Sequence, residues 1–194
     1  STREPILPSP PVSASPGPQE PVTGRRTRVA LIGSGFIADV HLQVLRAVRG
    51  VEVVALCDPL RARAERLAKK HGVGRVSGDV AELLAQGGID AVHVLVPPAL
   101  HEAIATQCLQ AGLHVLVEKP LVPRAEDVLA LQALAARQGR VLAVNHNQTF
   151  HPAIRRLQDH LAAGRLGRLE HLAIQHHVPL RQLQTGDVGH FMFQ

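Results

Sequence analysis

The first segment whose residue types could bind a ligand is a glycine-rich loop that leads into a helical pattern, Gly33-Ser34-Gly35-Phe36-Ile37-Ala38. Gly33 permits a tight turn, and Gly35 lets a pyrophosphate approach the backbone closely because it has no Cβ. The small Ala38 allows the helix to pack closely on the preceding strand. The first N–H groups of a helix carry a partial positive charge that favours phosphate. Residues 33–37 are therefore predicted to bind a dinucleotide.

Asp58 supplies a second feature of such a site. It follows the apolar run 51–57, at the distance from the loop at which a carboxylate accepts hydrogen bonds from an adenosine ribose. A carboxylate there repels the 2′-phosphate of NADP(H), so NAD(H) is the preferred cofactor. Arg61 and Arg63 lie nearby in the sequence and could bind that phosphate, which keeps NADP(H) as the second candidate. The alternative is a glycine turn followed by an aspartate that caps a helix.

Lys119 lies in the tripeptide Glu118-Lys119-Pro120, directly after a short apolar run at residues 114–117. In an open parallel sheet, ligands bind beyond the carboxyl ends of the strands. This position predicts that Lys119 lies on the cofactor side of the sheet, where an amine suits proton transfer. The alternative is an ordinary surface lysine at the end of a strand.

Alternating strand and helix patterns must position these residues. Strands are predicted at residues 29–32, 51–57, 91–96, 114–117 and 141–144. Helices are predicted at residues 36–48, 60–70, 80–85, 99–111, 125–137 and 153–162. Strands that alternate with helices through short connections indicate a parallel sheet covered on both faces. The predicted fold class is α/β, a Rossmann-type doubly wound parallel sheet.

Both ends of the chain differ from this pattern. Residues 1–27 are rich in proline and serine and have almost no apolar periodicity, which predicts a disordered tail. Residues 28–148 form the predicted dinucleotide-binding domain. Residues 149–194 are expected to begin an incomplete α+β substrate or oligomerisation domain, with one long strand at residues 169–178. We expect the chain to stop inside that second domain.

Composition excludes several classes of protein. No apolar run approaches the roughly 18 residues of a membrane-spanning helix, so no membrane partner is expected. Two cysteines are too few for a disulfide framework, which favours a cytoplasmic protein. The net charge of +5 is spread along a chain that has four Phe, no Trp and no Tyr. Without a basic cluster or an aromatic platform, no nucleic-acid partner is expected.

Taken together, these stretches resemble the Gfo/Idh/MocA oxidoreductase family, which includes glucose–fructose oxidoreductase and inositol dehydrogenase. The resemblance covers about residues 28–178. The tripeptide at residues 118–120, within the run 111–121, is its most specific part, whereas the glycine loop alone is generic. The other matching stretches are residues 29–38, 54–58, 89–92, 96–98 with His101, and 164–167.

The resemblance implies roles for individual residues. Lys119 would lie by the nicotinamide and bind the substrate hydroxyl that loses hydride, as the catalytic residue. Pro97 and Pro98 would border the cofactor, His101 would shape the same loop, and Glu118 would line the nicotinamide pocket. Members of the family usually form dimers or tetramers, so a homo-oligomer is expected of the full-length protein.

Two departures from the family's pattern concern the substrate site. After its sixth strand the family usually carries an asparagine followed by arginines. Here Asn147 is expected to keep the asparagine position and contact the cofactor, but Gln148 and Thr149 stand where the arginines are usual. The family's Asp and His acid–base pair is spaced by one helical turn, four residues. Asp187 and His190 are three apart, so we expect the true pair beyond residue 194.

The remaining histidines and cysteines are interpreted as structural. His93 lies inside an apolar strand, where a buried, hydrogen-bonded ring is the simplest interpretation. The pair at residues 176–177 would point to opposite faces of a strand, so no metal site is predicted. Cys57 is expected to pack within a strand and Cys108 within a helix core.

The predicted function is that of an NAD(P)-dependent dehydrogenase. Hydride would move between the nicotinamide and a sugar, polyol or related small hydroxy compound, and this chain would carry the cofactor domain. One alternative is a non-catalytic dinucleotide-binding module that acts as a sensor or regulator. Another is a homoserine- or dihydrodipicolinate-type dehydrogenase, which shares the glycine loop but does not normally carry the sequence of residues 118–120.

Overall fold

A computed structural model describes residues 24–175, which contain six strands and six α-helices. The strands are β1 (Thr27–Ile32), β2 (Val51–Cys57), β3 (Arg75–Ser77), β4 (Ala91–Val94), β5 (His114–Val117) and β6 (Leu142–Val144). The helices are α1 (Phe36–Leu45), α2 (Arg61–His71), α3 (Val80–Gln86), α4 (His101–Gln110), α5 (Ala125–Arg137) and α6 (Pro152–Ala162). Two short 3₁₀ helices span Pro98–Leu100 and Asn147–Phe150.

The strands form one parallel sheet in the order β3-β2-β1-β4-β5-β6. The chain therefore builds the sheet outward from β1 on one side, with β2 and then β3. It then crosses to the other side of β1 and adds β4, β5 and β6 in turn. This order confirms the predicted doubly wound Rossmann-type fold. The crevice at such a reversal lies beyond the carboxyl ends of β1 and β4, which is where open α/β sheets bind ligands.

Two apolar layers cover the two faces of the sheet, and successive residues of the buried run at the end of β1 belong to opposite layers. Ala30 and Ile32 pack into the layer that includes residues of α4 and α5, whereas Val29 and Leu31 face α1 and α2. All four side chains are buried, because a central parallel strand has helices on both faces. Ala38 is buried against the second layer, as close helix–strand packing requires.

The two cysteines lie in the first of these layers. Burial raises the pKa of both the Cys57 and Cys108 thiols to about 12. These side chains are protonated packing groups at neutral pH, which confirms their structural interpretation.

Several element boundaries differ from the predictions. The three-residue strand β3 has glycines on either side and was not predicted, because so short a run has no readable periodicity. β4 ends at Val94 and α1 ends at Leu45, earlier than expected. The predicted strand at 169–178 was wrong over residues 169–175, which have no neighbouring strand to pair with in the part of the chain that the structure describes. Residues 176–178 lie outside the described residues, as do most of the predicted tail and the pair Asp187 and His190.

Candidate active site

The carboxyl edge of the sheet is tied together one residue beyond the strands. In four places the residue that follows a strand continues the backbone ladder to the neighbouring strand. These bonds run from Gly33 N–H to Cys57 O (2.8 Å), Leu95 N–H to Ile32 O (2.8 Å), Glu118 N–H to Val94 O (3.0 Å) and Asn145 N–H to Val117 O (2.8 Å). The loops that begin at these residues are therefore held side by side along one edge.

Gly33 turns the chain out of β1, and no other residue fits there. Its φ is +100°, in the left-handed region that favours glycine. A Cβ at this position would lie 2.5 Å from the carbonyl oxygen of Leu95, which is main chain and cannot rotate away. The requirement for glycine at Gly33 therefore comes from the protein itself.

Gly35 differs, because the protein does not require glycine there. Its φ is −77°, and a Cβ would meet nothing within 4 Å. It is the N-cap of α1, and the N–H groups of Phe36 and Ile37 have no hydrogen-bond partner among residues 24–175. The Ser34 hydroxyl is also buried without a partner there. Two N–H donors, a hydroxyl and an open approach fit the phosphates of a dinucleotide.

Two residues in the first turn of α1 point in different directions. Phe36 is 79% exposed, whereas Ile37 packs against the apolar layer under α1.

Asp39, also in the first turn of α1, forms ion pairs with α2. Its carboxylate lies 2.8 Å from Lys70 Nζ and 2.6 Å from His71 Nε2. The Lys70 hydrogen bond, reinforced by His71, lowers the pKa of Asp39.

Asp58 follows β2 and is only 6% exposed. Its Oδ2 accepts the Ser34 N–H at 2.8 Å and its Oδ1 accepts the Leu60 N–H at 2.8 Å. The carboxylate therefore holds the glycine loop against the end of β2. Each oxygen has a second lone pair, so bonds to ribose hydroxyls remain compatible with these contacts. The guanidinium of the neighbouring Arg61 lies 3.3 Å from Glu65 Oε1 and 3.7 Å from Glu82 Oε1.

The loop after β4 contains three of the predicted residues. Pro97 precedes a 3₁₀ turn that Pro98 begins, at the same edge as the glycine loop. His101 is completely buried at the start of α4. Its Nδ1 lies 2.7 Å from Pro120 O and its Nε2 lies 2.8 Å from Val96 O. The ring thus connects the loop after β4 to the loop after β5, and because it is fully buried it exposes no surface to a ligand.

Lys119 is the second residue after β5, at the carboxyl edge where it is predicted to lie. It is exposed, and its peptide bond to Pro120 is cis. Asn147 is also exposed and begins the 3₁₀ turn after β6. Asn145, two residues earlier, is the asparagine whose side chain reaches the lysine segment, with Nδ2 2.5 Å from Glu118 Oε1.

Sequence reasoning missed two residues that contact Glu118, His41 and Asn145. His41 Nε2 lies 3.3 Å from Glu118 Oε1, and His41 Nδ1 lies 3.0 Å from His93 Nδ1. Burial, with the nearby His41 charge, lowers the pKa of His93 to about 4. His93 is thus hydrogen-bonded and largely enclosed, in line with its interpretation. The available signal was spacing, since His41 lies one turn from Ile37 on the inward face of α1.

The comparisons with known proteins agree with this geometry. The chain matches the model of the Gfo/Idh/MocA oxidoreductase family, described as an NAD-binding Rossmann fold, over residues 27–146. The chain belongs to this family. The NAD-binding domain of the family therefore accounts for the six-stranded sheet and for the glycine loop at its carboxyl edge.

Three relatives are 33% to 38% identical to this chain over the residues that align. Inositol 2-dehydrogenase 1 of Saccharopolyspora erythraea is 36% identical over 143 residues, 72% of this chain and 42% of the relative. The structure of GenD2 from gentamicin A biosynthesis, in complex with NAD, is 38% identical with a TM-score of 0.69, covering 74% of this chain and 40% of that one. A variant of the 3-ketoreductase KijD10 from Actinomadura kijaniata, in complex with NADP, is 33% identical with a TM-score of 0.69, covering 75% and 46%.

This chain therefore spans less than half the length of the relatives it matches. Among the described residues, no helix is both long and apolar enough to cross a bilayer. Within the same residues, no group of three or more histidine, cysteine or acidic side chains is arranged to hold a metal ion.

Proposed function

We propose that this chain is the cofactor-binding part of an NAD-dependent dehydrogenase that acts on a sugar, polyol or related hydroxy compound. The observation that carries the proposal is the start of α1. It combines two backbone N–H donors and the buried Ser34 hydroxyl, all without a partner among residues 24–175, with an open approach at Gly35. Lys119 lies along the same sheet edge, one strand beyond β4.

The preference for NAD over NADP rests on Asp58. Its carboxylate is fixed by two backbone N–H groups at 2.8 Å, so it cannot swing away from a 2′-phosphate. A fixed carboxylate binds ribose hydroxyls and repels that phosphate. Arg61 is paired with the carboxylates of Glu65 and Glu82, which reduces its ability to offset the repulsion between Asp58 and a 2′-phosphate.

Lys119 is proposed to bind and orient the substrate hydroxyl. When bound, the nicotinamide supplies a hydride acceptor or donor. In the oxidation direction the Lys119 amine would take the proton of the substrate hydroxyl as the hydride leaves the carbon that bears it. In the reverse direction the resulting ammonium would return that proton to the oxygen. Glu118, Pro97 and Pro98 are proposed to line the cofactor beside it. Asn147, exposed after β6, remains a candidate contact at the same end of the sheet.

The substrate class is taken from the relatives. Inositol 2-dehydrogenases, D-apiose dehydrogenase and D-glucoside 3-dehydrogenase are named for polyhydroxy compounds. We propose that residues 149–194 begin the second domain, which would supply most substrate contacts, and that the full-length protein forms homo-oligomers. A cytoplasmic location is proposed because both cysteines of the chain are buried free thiols.

The first test is titration of the 194-residue chain with NADH and NADPH, followed by the fluorescence of the reduced nicotinamide. We expect saturable NADH binding and weaker NADPH binding. Asp58→Ala should weaken NADH about tenfold and narrow the difference between the cofactors, as losing charge-assisted hydrogen bonds predicts. Glu52→Ala, at the exposed amino end of β2 and away from the carboxyl edge, is the matched control and should bind both cofactors as the wild type does.

The second test assays hydride transfer to polyols and sugars by the protein that contains this chain. Lys119→Ala should lower kcat by about 100-fold or more while the Kd for NADH stays unchanged. Saturable NADH binding without turnover of any hydroxy compound would favour the non-catalytic module. A folded chain that binds neither cofactor would refute the site assignment.

A further inference from the structure

Four polar side chains form a connected network beside the lysine segment. They come from α1, from β4 and from the positions just after β5 and β6, and they are His41, His93, Glu118 and Asn145. The side chains of His41 and Glu118 are only 10% and 14% exposed. The proposed reaction uses Lys119 and the bound cofactor, so it gives the two histidines and Asn145 no role.

The Glu118 carboxylate is the centre of this network and is bound through both oxygens. Oε1 accepts from the Asn145 amide at 2.5 Å and faces His41 Nε2 at 3.3 Å. Oε2 accepts the backbone N–H of Lys119 at 3.2 Å. The Asn145 amide nitrogen also lies 3.4 Å from His41 Nε2, the longest contact of the network. Because a carboxylate only accepts hydrogen bonds, the shorter contact with Glu118 needs a proton on His41 Nε2.

The protonation of His41 also determines the protonation of His93. The Nδ1 atoms of His41 and His93 lie 3.0 Å apart, so one of them carries the shared proton. When His41 is neutral with its proton on Nε2, its Nδ1 has a free lone pair, and His93 must donate from Nδ1. The rings meet edge to face at 84°, with their centroids 5.2 Å apart. Glu118 thus determines the tautomer of both neutral rings, and the His41 ring in turn holds Glu118.

We propose that His41 and Asn145 are positioning residues that hold the Glu118 carboxylate, and through it the main chain of Lys119, at the carboxyl edge of the sheet. His93 holds the His41 ring in place through the hydrogen bond between their Nδ1 atoms. The role in catalysis rests on the proposed function of Lys119. The network joins α1, which presents the cofactor-binding loop, to the segments after β5 and β6, so it sets the lysine relative to the cofactor.

The test uses two amide substitutions that separate the nitrogens of His41. In His41→Gln the amide nitrogen is placed near the position of Nε2 and can still donate to Glu118. In His41→Asn it is placed near Nδ1, so the contact with Glu118 is lost. Gln43→Ala, on the exposed face of the same helix, is the matched control. Because asparagine is also smaller than glutamine, His41→Leu, close to glutamine in size but without a donor, is compared as well. A role in packing alone would leave His41→Leu like His41→Gln, whereas the hydrogen-bonding role predicts that it behaves like His41→Asn.

The readout is hydrogen exchange of the Lys119 amide in the 194-residue chain, measured by NMR and divided by that of the buried Leu56 amide to remove global stability. We expect exchange about tenfold faster in His41→Asn and Asn145→Ala, the effect of losing one hydrogen bond of ordinary strength. His41→Gln and Gln43→Ala should stay at the wild-type rate. Equal rates for the two amide variants, or no change in any variant, would overturn the proposal.

Two further measurements keep this inference separate from the proposed function. In 15N spectra above pH 8, His93 should carry its proton on Nδ1, and this assignment should be lost in His41→Asn. In the protein that catalyses hydride transfer, His41→Asn should lower kcat about tenfold with an unchanged KM for NADH, and His41→Gln should restore it. If the wild-type chain binds no NADH, the proposed function fails, but the exchange comparison still decides whether the network holds Lys119.

Discussion

The two halves of the sheet's carboxyl edge are built in different ways. At the ends of β1 and β2, main-chain atoms set the geometry: Gly33 passes close to Leu95 O, and Asp58 binds two backbone N–H groups. At the ends of β4, β5 and β6, side chains from distant parts of the chain converge on Glu118. The first half is held by backbone atoms, whereas the contacts around Glu118 in the second half include two histidines.

The largest expected effect is on the first half, where Gly33→Ala should destabilise the fold. An alanine here would have to adopt the φ of +100°, which side chains with a Cβ rarely do, and its Cβ would lie 2.5 Å from the carbonyl oxygen of Leu95. We expect a loss of about 3 kcal/mol or more in the free energy of unfolding, measured by urea denaturation. Gly74→Ala, where a Cβ meets nothing within 4 Å, is the control and should change stability by less than about 1 kcal/mol. A Gly33→Ala chain as stable as the wild type would show that the turn is not set by main-chain contact.

Gly35→Val should separate ligand binding from stability in the same loop. A Cβ at this position would meet nothing within 4 Å and the φ is ordinary, so the free energy of unfolding should change by less than about 1 kcal/mol. The valine would occupy the approach of the pyrophosphate, and the Kd for NADH should rise by about 100-fold or more, measured by nicotinamide fluorescence. NADH binding that survives in Gly35→Val would mean that the cofactor does not lie against this turn.

A smaller, pH-dependent effect should appear in the second half. The pKa of His93 is about 4 in the folded chain against 6.5 ordinarily, so the unfolded chain binds more protons between these values. Stability should therefore fall as pH drops from 6.5 towards 4, by roughly 1–3 kcal/mol. His93→Gln should flatten that slope in urea denaturation at a series of pH values.

The control for this experiment is His171→Gln, because His171 is exposed. It should leave the pH dependence of the free energy of unfolding as in the wild type. Identical slopes for the wild type and His93→Gln would show that enclosure by the sheet and α1 does not keep the His93 ring neutral.

The same contrast explains what the sequence could predict. Gly33, Gly35, Asp58 and Lys119 each lie next to a strand boundary, so knowing where a strand ends also places the residue at the ligand edge. The contacts of Glu118 with His41 and Asn145 join residues far apart in the chain and need the strand order β1-β4-β5-β6 before they can be seen. Resemblance to the family motif favours Asn147 for the asparagine position, and spacing along the chain does not reveal that the side chain of Asn145 reaches the lysine segment.

The strands show the same limit. Long apolar runs such as β2 are evident from composition, whereas β3 is defined by its pairing with β2 and has only three residues. The opposite error arose at residues 169–175, where an apolar pattern suggested a strand. A strand depends on a neighbour to satisfy its backbone, and pattern alone does not supply one.

Asp39 has a consequence for how quickly an anionic cofactor can arrive. Its carboxylate lies in the first turn of α1 and would by itself oppose an approaching pyrophosphate, but Lys70 and His71 both bind it. The positive end of the helix therefore remains effective towards solvent. Fields of this kind raise encounter rates more than equilibrium affinity, and they weaken as the Debye length shortens. Because of the ion pair between α1 and α2, we expect added salt to lower the association rate constant of the cofactor more than it changes the residence time of the bound cofactor.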